Sequence, residues 1–340
     1  MKAITYTEPG DTSVLHLTDL EAGEPGPGEV RVRVVLSGIN PTDWKTRSGN
    51  GPALQFDEIA PGQDGAGVVD AIGTGVDGLS VGDRVWLYLA QHGRAIGTAA
   101  ELTVQSAARV VRLPDSASFE VGASLGVPAM TAHRALTVAE DGPSRLHPGA
   151  LDGRTVLVAG GAGAVGHAAI QLARWAGATV VATVSSPEKA ILATAAGAHH
   201  VVNYRDGDTV AAIRAVAPDG VNLVVEVAPG PNAALNAAVV ANRGSIAIYA
   251  NNGGDEMTLA VRSHMVANTR LQFVLLYTVG EQALTDAADD VAAATDDGAM
   301  AVGEEAGLPL HRFPLARTAD AHAAVQDAVV GKVLVEVTDE

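Results

Sequence analysis

The sequence predicts an α/β protein in two parts, a β-rich unit followed by a doubly wound parallel sheet. Three observations predict it. Residues 155–184 run from a β-branched stretch through a glycine cluster and a helical pattern into a second apolar stretch. Before about residue 128, apolar residues alternate in short runs broken by glycine turns, the period of half-buried strands. From Met130 to about Ala267, strands and helices alternate, which produces parallel sheets with crossover helices.

In chain order, residues 29–40 alternate as one strand. Residues 65–89 hold two more, joined by Gly-rich turns, and residues 99–114 add another two, a spacing that suggests a compact, partly barrel-like body. In the second part, Val156 to Ala159 is a strand. Ile170, Leu172, Ala173 and Trp175 set the helical face, Gly177 stops the helix, and Val180 to Val184 is the next strand. Residues 221–228 are a buried strand, residues 233–244 a helix stopped by glycine, and residues 245–250 a strand. The tail predicts helices at 282–295 and 319–328 and a closing strand at 332–337, so it completes the first unit. The expected division is therefore 1–128, 129–268 and 269–340. The acidic stretch 286–297 is expected to be a solvated helix face.

Composition narrows the chemistry. The chain has 340 residues, enough for two sizeable cores. It has no cysteine, which excludes disulfides, thiolate nucleophiles and cysteine-built zinc sites. A net charge of −17, with four lysines, argues against nucleic-acid or anionic-membrane partners. No apolar run approaches a membrane span, and the first residues lack a secretory core, so a cytoplasmic protein is expected.

The glycine turn gives the sharpest functional signal. Gly161, Gly163 and Gly166 fit G-x-G-x-x-G, and Gly160, Gly163 and Gly166 a looser variant. Such glycines permit a sharp turn, close approach of the Ala164 and Val165 backbone region to a pyrophosphate, and tight helix–strand packing. The strand before the turn and the helix after it are the context in which the motif means dinucleotide binding.

Several further segments carry a resemblance. Residues 38–49, 61–76, 81–86, 93–102, 126–136 and 331–337 are similar to segments of the zinc-independent quinone oxidoreductases and enone reductases, within the medium-chain dehydrogenase/reductase superfamily. The resemblance runs nearly end to end and implies a GroES-like catalytic domain plus a Rossmann domain. Zinc-dependent members place a cysteine where this chain has Ser37, and Gly-His-Glu where it has Gly62-Gln63-Asp64. Neither serine nor glutamine replaces a thiolate or an imidazole, so no metal is expected. His199 and His200 precede a strand, where neighbouring side chains face opposite ways.

The second strand of the nucleotide unit ends without the acidic residue that binds a ribose 2′-OH in NAD-specific folds. Ser185 and Ser186 stand there instead, and Glu188 is a dissenting acid nearby. The resemblance places Lys189 and Tyr204 on a 2′-phosphate, hence NADPH. Thr131, after the Gly-Val-Pro-Ala-Met turn, and Asn251, at the carboxyl end of a parallel strand, are expected at the nicotinamide end, although Asn251 also suits a turn-forming Asn-Asn-Gly-Gly loop. It also implies that Lys45 lies near the cofactor and the acceptor oxygen. Asn40 is a candidate amide donor to that oxygen, Trp44 a stacking surface, and Asp43 a group that orients the loop. Tyr88 and Gln91 are candidates to line the acceptor cleft. The implied reaction is reduction of a quinone or an α,β-unsaturated carbonyl. An enoyl-thioester reductase and an NADPH-binding sensor or structural protein with little turnover are the alternatives. Relatives are commonly homodimers, and the apolar run 271–279 is expected to be buried beside or within such an interface.

Overall fold

A computed structural model describes residues 1–51 and 53–339. The chain divides into two compact units, residues 1–127 with 309–340 and residues 128–308.

The first unit starts with a two-stranded ribbon, β1 (Lys2–Thr5) and β2 (His16–Asp19). It continues through β3 (Glu29–Ile39), α1 (Pro41–Arg47), β4 (Asp64–Ile72), β5 (Arg84–Leu87), β6 (Leu102–Ser106) and β7 (Val110–Arg112). Then α2 (Phe119–Leu136) is broken at Gly126, whose φ of −6° and ψ of −116° are not helical. The chain leaves the first unit at Val127.

The second unit holds β8 (Thr155–Ala159), α3 (Ala164–Trp175), β9 (Thr179–Val184), α4 (Pro187–Ala195), β10 (His200–Asn203), α5 (Thr209–Val216), β11 (Val221–Glu226), α6 (Pro229–Val239), β12 (Val240–Ile248), α7 (Val261–Val266), β13 (Arg270–Phe273) and α8 (Glu281–Asp296). Its six strands are parallel, in the order β10-β9-β8-β11-β12-β13. The order reverses between β8 and β11, the switch point beside which doubly wound sheets bind ligands. Val156, Val158, Val180, Val181, Val224 and Val225 are all buried, as in strands covered on both faces.

The chain returns to the first unit with β14 (Leu310–Pro314), α9 (Thr318–Gln326) and β15 (Lys332–Glu336). These complete a sheet in the order β14-β15-β3-β4-β5-β7, with β6 on β3. Its core is built on Val30, Val32, Val34, Val69, Val85, Val333 and Val335. The last strand pairs antiparallel with β3, Val333 opposite Ile39.

Three sequence expectations need correction. The second boundary falls after Leu308, not at 268, because β13 is the sixth parallel strand and α8 packs on the same unit. The helix expected over 233–244 ends at Val239. The β-branched Val240 already pairs with Val221, so β12 begins there. The acidic helix is not wholly solvated, since Asp290 is 4% exposed on the same face as Leu284, Ala287 and Val291. Its carboxylate binds His133 Nε2 at 2.7 Å, Arg145 Nε at 2.8 Å and Leu146 N at 2.6 Å. Burial raises its pKa, and these hydrogen bonds outweigh burial and hold it below the usual range. Among the described residues no helix is long and apolar enough to cross a membrane.

Candidate active site

In the second unit the glycine turn connects β8 to α3. Gly160 has φ +70°, and its N–H and that of Gly161 both donate to Thr183 O at 3.1 Å. Gly163 is the N-cap of α3. A Cβ on Gly166 would lie 2.4 Å from Gly160 O, so this glycine is required by backbone packing. A Cβ on Gly163 would meet nothing nearer than 3.5 Å. Gly163 is exposed and Ala164 and Val165 are half-buried at the start of α3, where the free N–H groups of a helix N-terminus favour a pyrophosphate. These residues fit a nicotinamide dinucleotide.

Ser185 follows β9 directly, and Ser186 caps α4, accepting a hydrogen bond from Lys189 N at 3.3 Å. Lys189 Nζ donates to Ser185 Oγ at 3.2 Å. Tyr204 N donates to Val184 O at 3.0 Å, and the Tyr204 ring is exposed. Ser185, Lys189 and Tyr204 therefore gather at the carboxyl ends of β10 and of β9, the strand whose Thr183 anchors the glycine turn. Glu188 lies in the first turn of α4, its pKa lowered by a hydrogen bond from Ser186. Thr131 is buried in the second half of α2. Asn251 is exposed in the loop after β12, its amide bound to Asp255. It lines a cavity of about 580 Å³ with Pro229, Tyr249, Phe273 and Leu275.

In the first unit, α1 carries the acceptor-side candidates. Its helical spacing turns Asp43 and Arg47 inward, one turn apart, and leaves Trp44 and Lys45 half-buried. Asp43 Oδ2 accepts from Asn40 N at 2.7 Å, fixing the start of the helix. Asn40 itself is buried, and its Nδ2 donates to Asp64 Oδ2 at 2.6 Å. Its amide is turned into the protein in this structure, which makes it an anchor of α1. Lys45, on the same helix, is half-buried rather than turned into the core.

Burial pushes the Asp43 carboxyl up to about 7. The Asn40 N–H opposes the rise, the Asp64 charge adds to it, and the Lys332 charge again opposes it. The folded protein thus holds a proton that the unfolded chain, with an ordinary value of 3.8, releases. That contribution to stability is fully present below about pH 4 and is lost as pH rises through about 7. Asp43→Asn should therefore shrink the stability difference between pH 5 and pH 8, by roughly 1–3 kcal/mol. Urea denaturation at the two pH values measures it, and an unchanged difference would show Asp43 to be ionised throughout.

The residues at the zinc-ligand positions are bound to other side chains. Ser37 Oγ lies 2.7 Å from Thr98 Oγ1, which donates to Asp64 O at 2.7 Å. Gln63 Nε2 donates to Gln91 Oε1 at 3.1 Å, and Gln91 Nε2 to Arg94 O at 3.0 Å. No group of three or more His, Cys, Asp or Glu is placed to hold a metal among the described residues. This donor set, without thiolate or imidazole, does not fit a zinc ion. Tyr88 is corrected from a lining residue to a core residue. It is 1% exposed, with its hydroxyl on Ala108 O at 2.7 Å and its ring against Trp86.

Sequence reasoning missed the pair Asp64 and Lys332, 0% and 1% exposed, whose charged atoms are 3.2 Å apart. A signal existed: Lys332 opens a strand whose next three residues are Val-Leu-Val, in a chain with four lysines.

The comparisons with known proteins agree with this geometry. Residues 26–115 match the alcohol dehydrogenase GroES-like domain, and residues 164–296 match the zinc-binding dehydrogenase model. The quinone oxidoreductase of Rattus norvegicus is 30% identical over 330 residues, 95% of this chain and 93% of that protein. A structure titled NAD-dependent alcohol dehydrogenase superposes with a TM-score of 0.86 at 28% identity, over 99% of this chain and all of the other. A mycobacterial protein solved with NADPH gives 0.80 at 29% identity, again over 99% and 100%. With a GroES-like unit, a Rossmann unit and this similarity over nearly its whole length, the chain is an NAD(P)H-dependent oxidoreductase and belongs to the quinone oxidoreductase family of the medium-chain dehydrogenase/reductase superfamily.

Proposed function

We propose that the protein is an NADPH-dependent, zinc-independent reductase of quinones or of the activated C=C bond of α,β-unsaturated carbonyls. NADPH, when bound, supplies a hydride, and the protein's part is to orient it and to polarise the acceptor. Gly160, Gly161 and Gly163 to Gly166 would hold the pyrophosphate, and Ser185, Ser186, Lys189 and Tyr204 the adenosine 2′-phosphate. Thr131 and Asn251 would meet the nicotinamide end. The observation that carries the acceptor side is α1. Trp44 offers a flat apolar surface to a planar conjugated molecule, and Lys45 beside it is a half-buried cation. Its ammonium has no hydrogen bond or ion pair among the described residues. Reduction places negative charge on a carbonyl oxygen, and a cation aimed at that oxygen stabilises the transition state more than the ground state.

NADPH oxidation measured against a p-benzoquinone, an enone and an enoyl thioester tests the reading. Turnover of the first two is expected, and turnover of the thioester alone would replace it with enoyl reduction. Saturable NADPH binding with no acceptor reduced would make the protein a binder. Lys45→Ala should lower kcat/KM for the enone by about tenfold or more. This is below the 2.7–4 kcal/mol of a dry oxyanion donor, since this lysine is partly solvated. The more electrophilic quinone should lose less. Parent rates with both acceptors would leave Lys45 as a surface residue.

The partner we infer besides the acceptor is a second copy of this chain. In the single chain the run 271–279 is only half covered. Val274 and Leu276 are buried, while Phe273 and Leu275 are 63% and 58% exposed on and after the edge strand β13. Val261, Met265 and Val266 on α7 are exposed apolar residues as well. An uncovered edge of this kind invites pairing. Sedimentation at micromolar concentration should give a dimer, and Phe273→Glu a monomer. A monomeric parent would refute the pairing.

A further inference from the structure

Three segments distant in sequence meet at one buried point of the first unit. β15 pairs with β3 so that Val333 faces Ile39, which brings Lys332 opposite Asn40. Lys332 Nζ donates to Asn40 Oδ1 at 2.9 Å and to Asp64 Oδ2 at 3.2 Å. Asn40 Nδ2 donates to the same Asp64 Oδ2 at 2.6 Å, and Asp64 Oδ1 accepts from Val127 N at 2.7 Å. A carboxylate can only accept and an ammonium can only donate, so the two ions fix which end of the Asn40 amide points where. All three side chains are at least 98% buried. The lysine reaches this point because residue 38 is glycine. A Cβ there would come within 2.9 Å of Lys332 Cε and 2.0 Å of Ala123 O.

We propose that Lys332 is a positioning residue for the acceptor. By locking the Asn40 amide it sets the first turn of α1 and hence where Trp44 and Lys45 stand, without touching the acceptor itself. The proposal rests on the reading of α1 as the acceptor-binding helix. A structural ion pair alone would need only to neutralise Asp64, whereas a positioning role needs the hydrogen bond to Asn40 Oδ1.

The two are separated by the double variant Lys332→Met/Asp64→Asn, which removes both charges, and by Asn40→Ala, which keeps the ion pair. Lys332→Met alone leaves a buried carboxylate unpaired and should lower Tm markedly. The double variant should recover most of that loss. In both the double variant and Asn40→Ala, kcat/KM for the quinone should fall tenfold or more, with the Kd for NADPH within twofold of the parent. Hydrogen exchange of residues 41–47 should be faster in both, with that of 102–106 unchanged. Parent-like quinone kinetics, or parent-like exchange over 41–47, in Asn40→Ala or in a folded double variant would overturn the proposal. If the parent reduces no acceptor, the proposed reaction fails, and the exchange measurement still decides whether Lys332 positions α1.

Discussion

Gly166→Ala should cost stability and cofactor binding together, whereas Gly163→Ala should cost mainly cofactor binding. At Gly166 the new methyl would sit 2.4 Å from a backbone oxygen of the same turn, which no side-chain rotation relieves. The helix must move off the sheet, a penalty of about 1–3 kcal/mol or more. At Gly163 the backbone is extended, at φ −85° and ψ 161°, so alanine is tolerated conformationally. The loss there should stay near 0.5–1 kcal/mol, that of a poorer N-cap. Its methyl would nevertheless occupy the approach to the helix N-terminus, and NADPH affinity should fall about tenfold or more. Urea denaturation beside fluorescence titration reads both quantities. A Gly163→Ala protein that binds NADPH like the parent would remove the phosphate from this turn.

Lys189→Ala should weaken NADPH roughly ten- to hundredfold and leave NADH nearly unchanged. A charge-assisted contact of about 1.5–3 kcal/mol sets that range. The lysine already reaches Ser185 at 3.2 Å, at the end of the strand where an NAD-specific fold carries an acid. Glu188, on the same turn, provides the counter-test. If it were the ribose ligand, Glu188→Gln would weaken NADH selectively. Equal loss of both cofactors in Lys189→Ala would move the 2′-phosphate elsewhere.

Where the determinants are local, the sequence was legible. The turn from Val156 to Gly166 declares itself through β-branching, glycine and helical spacing within one short stretch, and the structure builds β8, the turn and α3 from it. The departure from the zinc-ligand pattern at Ser37 and Gln63 lies in the residue types themselves, so no folding was needed to see it. What depends on distant pairing was not. Asp64 and Lys332 are 268 residues apart, and only the β3–β15 register brings them together. Asp290 looked like one more solvated acid until the helix face on which it sits was known. Asn40 was legible as important but not in its direction. Its amide points to Asp64, because two buried ions compete for it more strongly than water at the surface would. Tyr88, a candidate to line the cleft, is buried with its hydroxyl donating to the Ala108 carbonyl, a contact that depends on packing between strands.

The placement of β15 has a consequence for how the protein is made. It lies between β14 and β3 in the interior of the first unit's sheet, although it is the last strand of the chain. During synthesis the second unit, contiguous from 128 to 308, can leave the ribosome whole and fold. The first unit cannot. Until residue 332 emerges, the 36–39 end of β3 lacks a partner on the side away from β4, and Asp64 has no counter-ion. The Rossmann unit is thus available to a nicotinamide cofactor, and to stabilisation by it, before the first unit has β15. A nascent chain halted just before Lys332 would carry a complete cofactor fold attached to an open sheet.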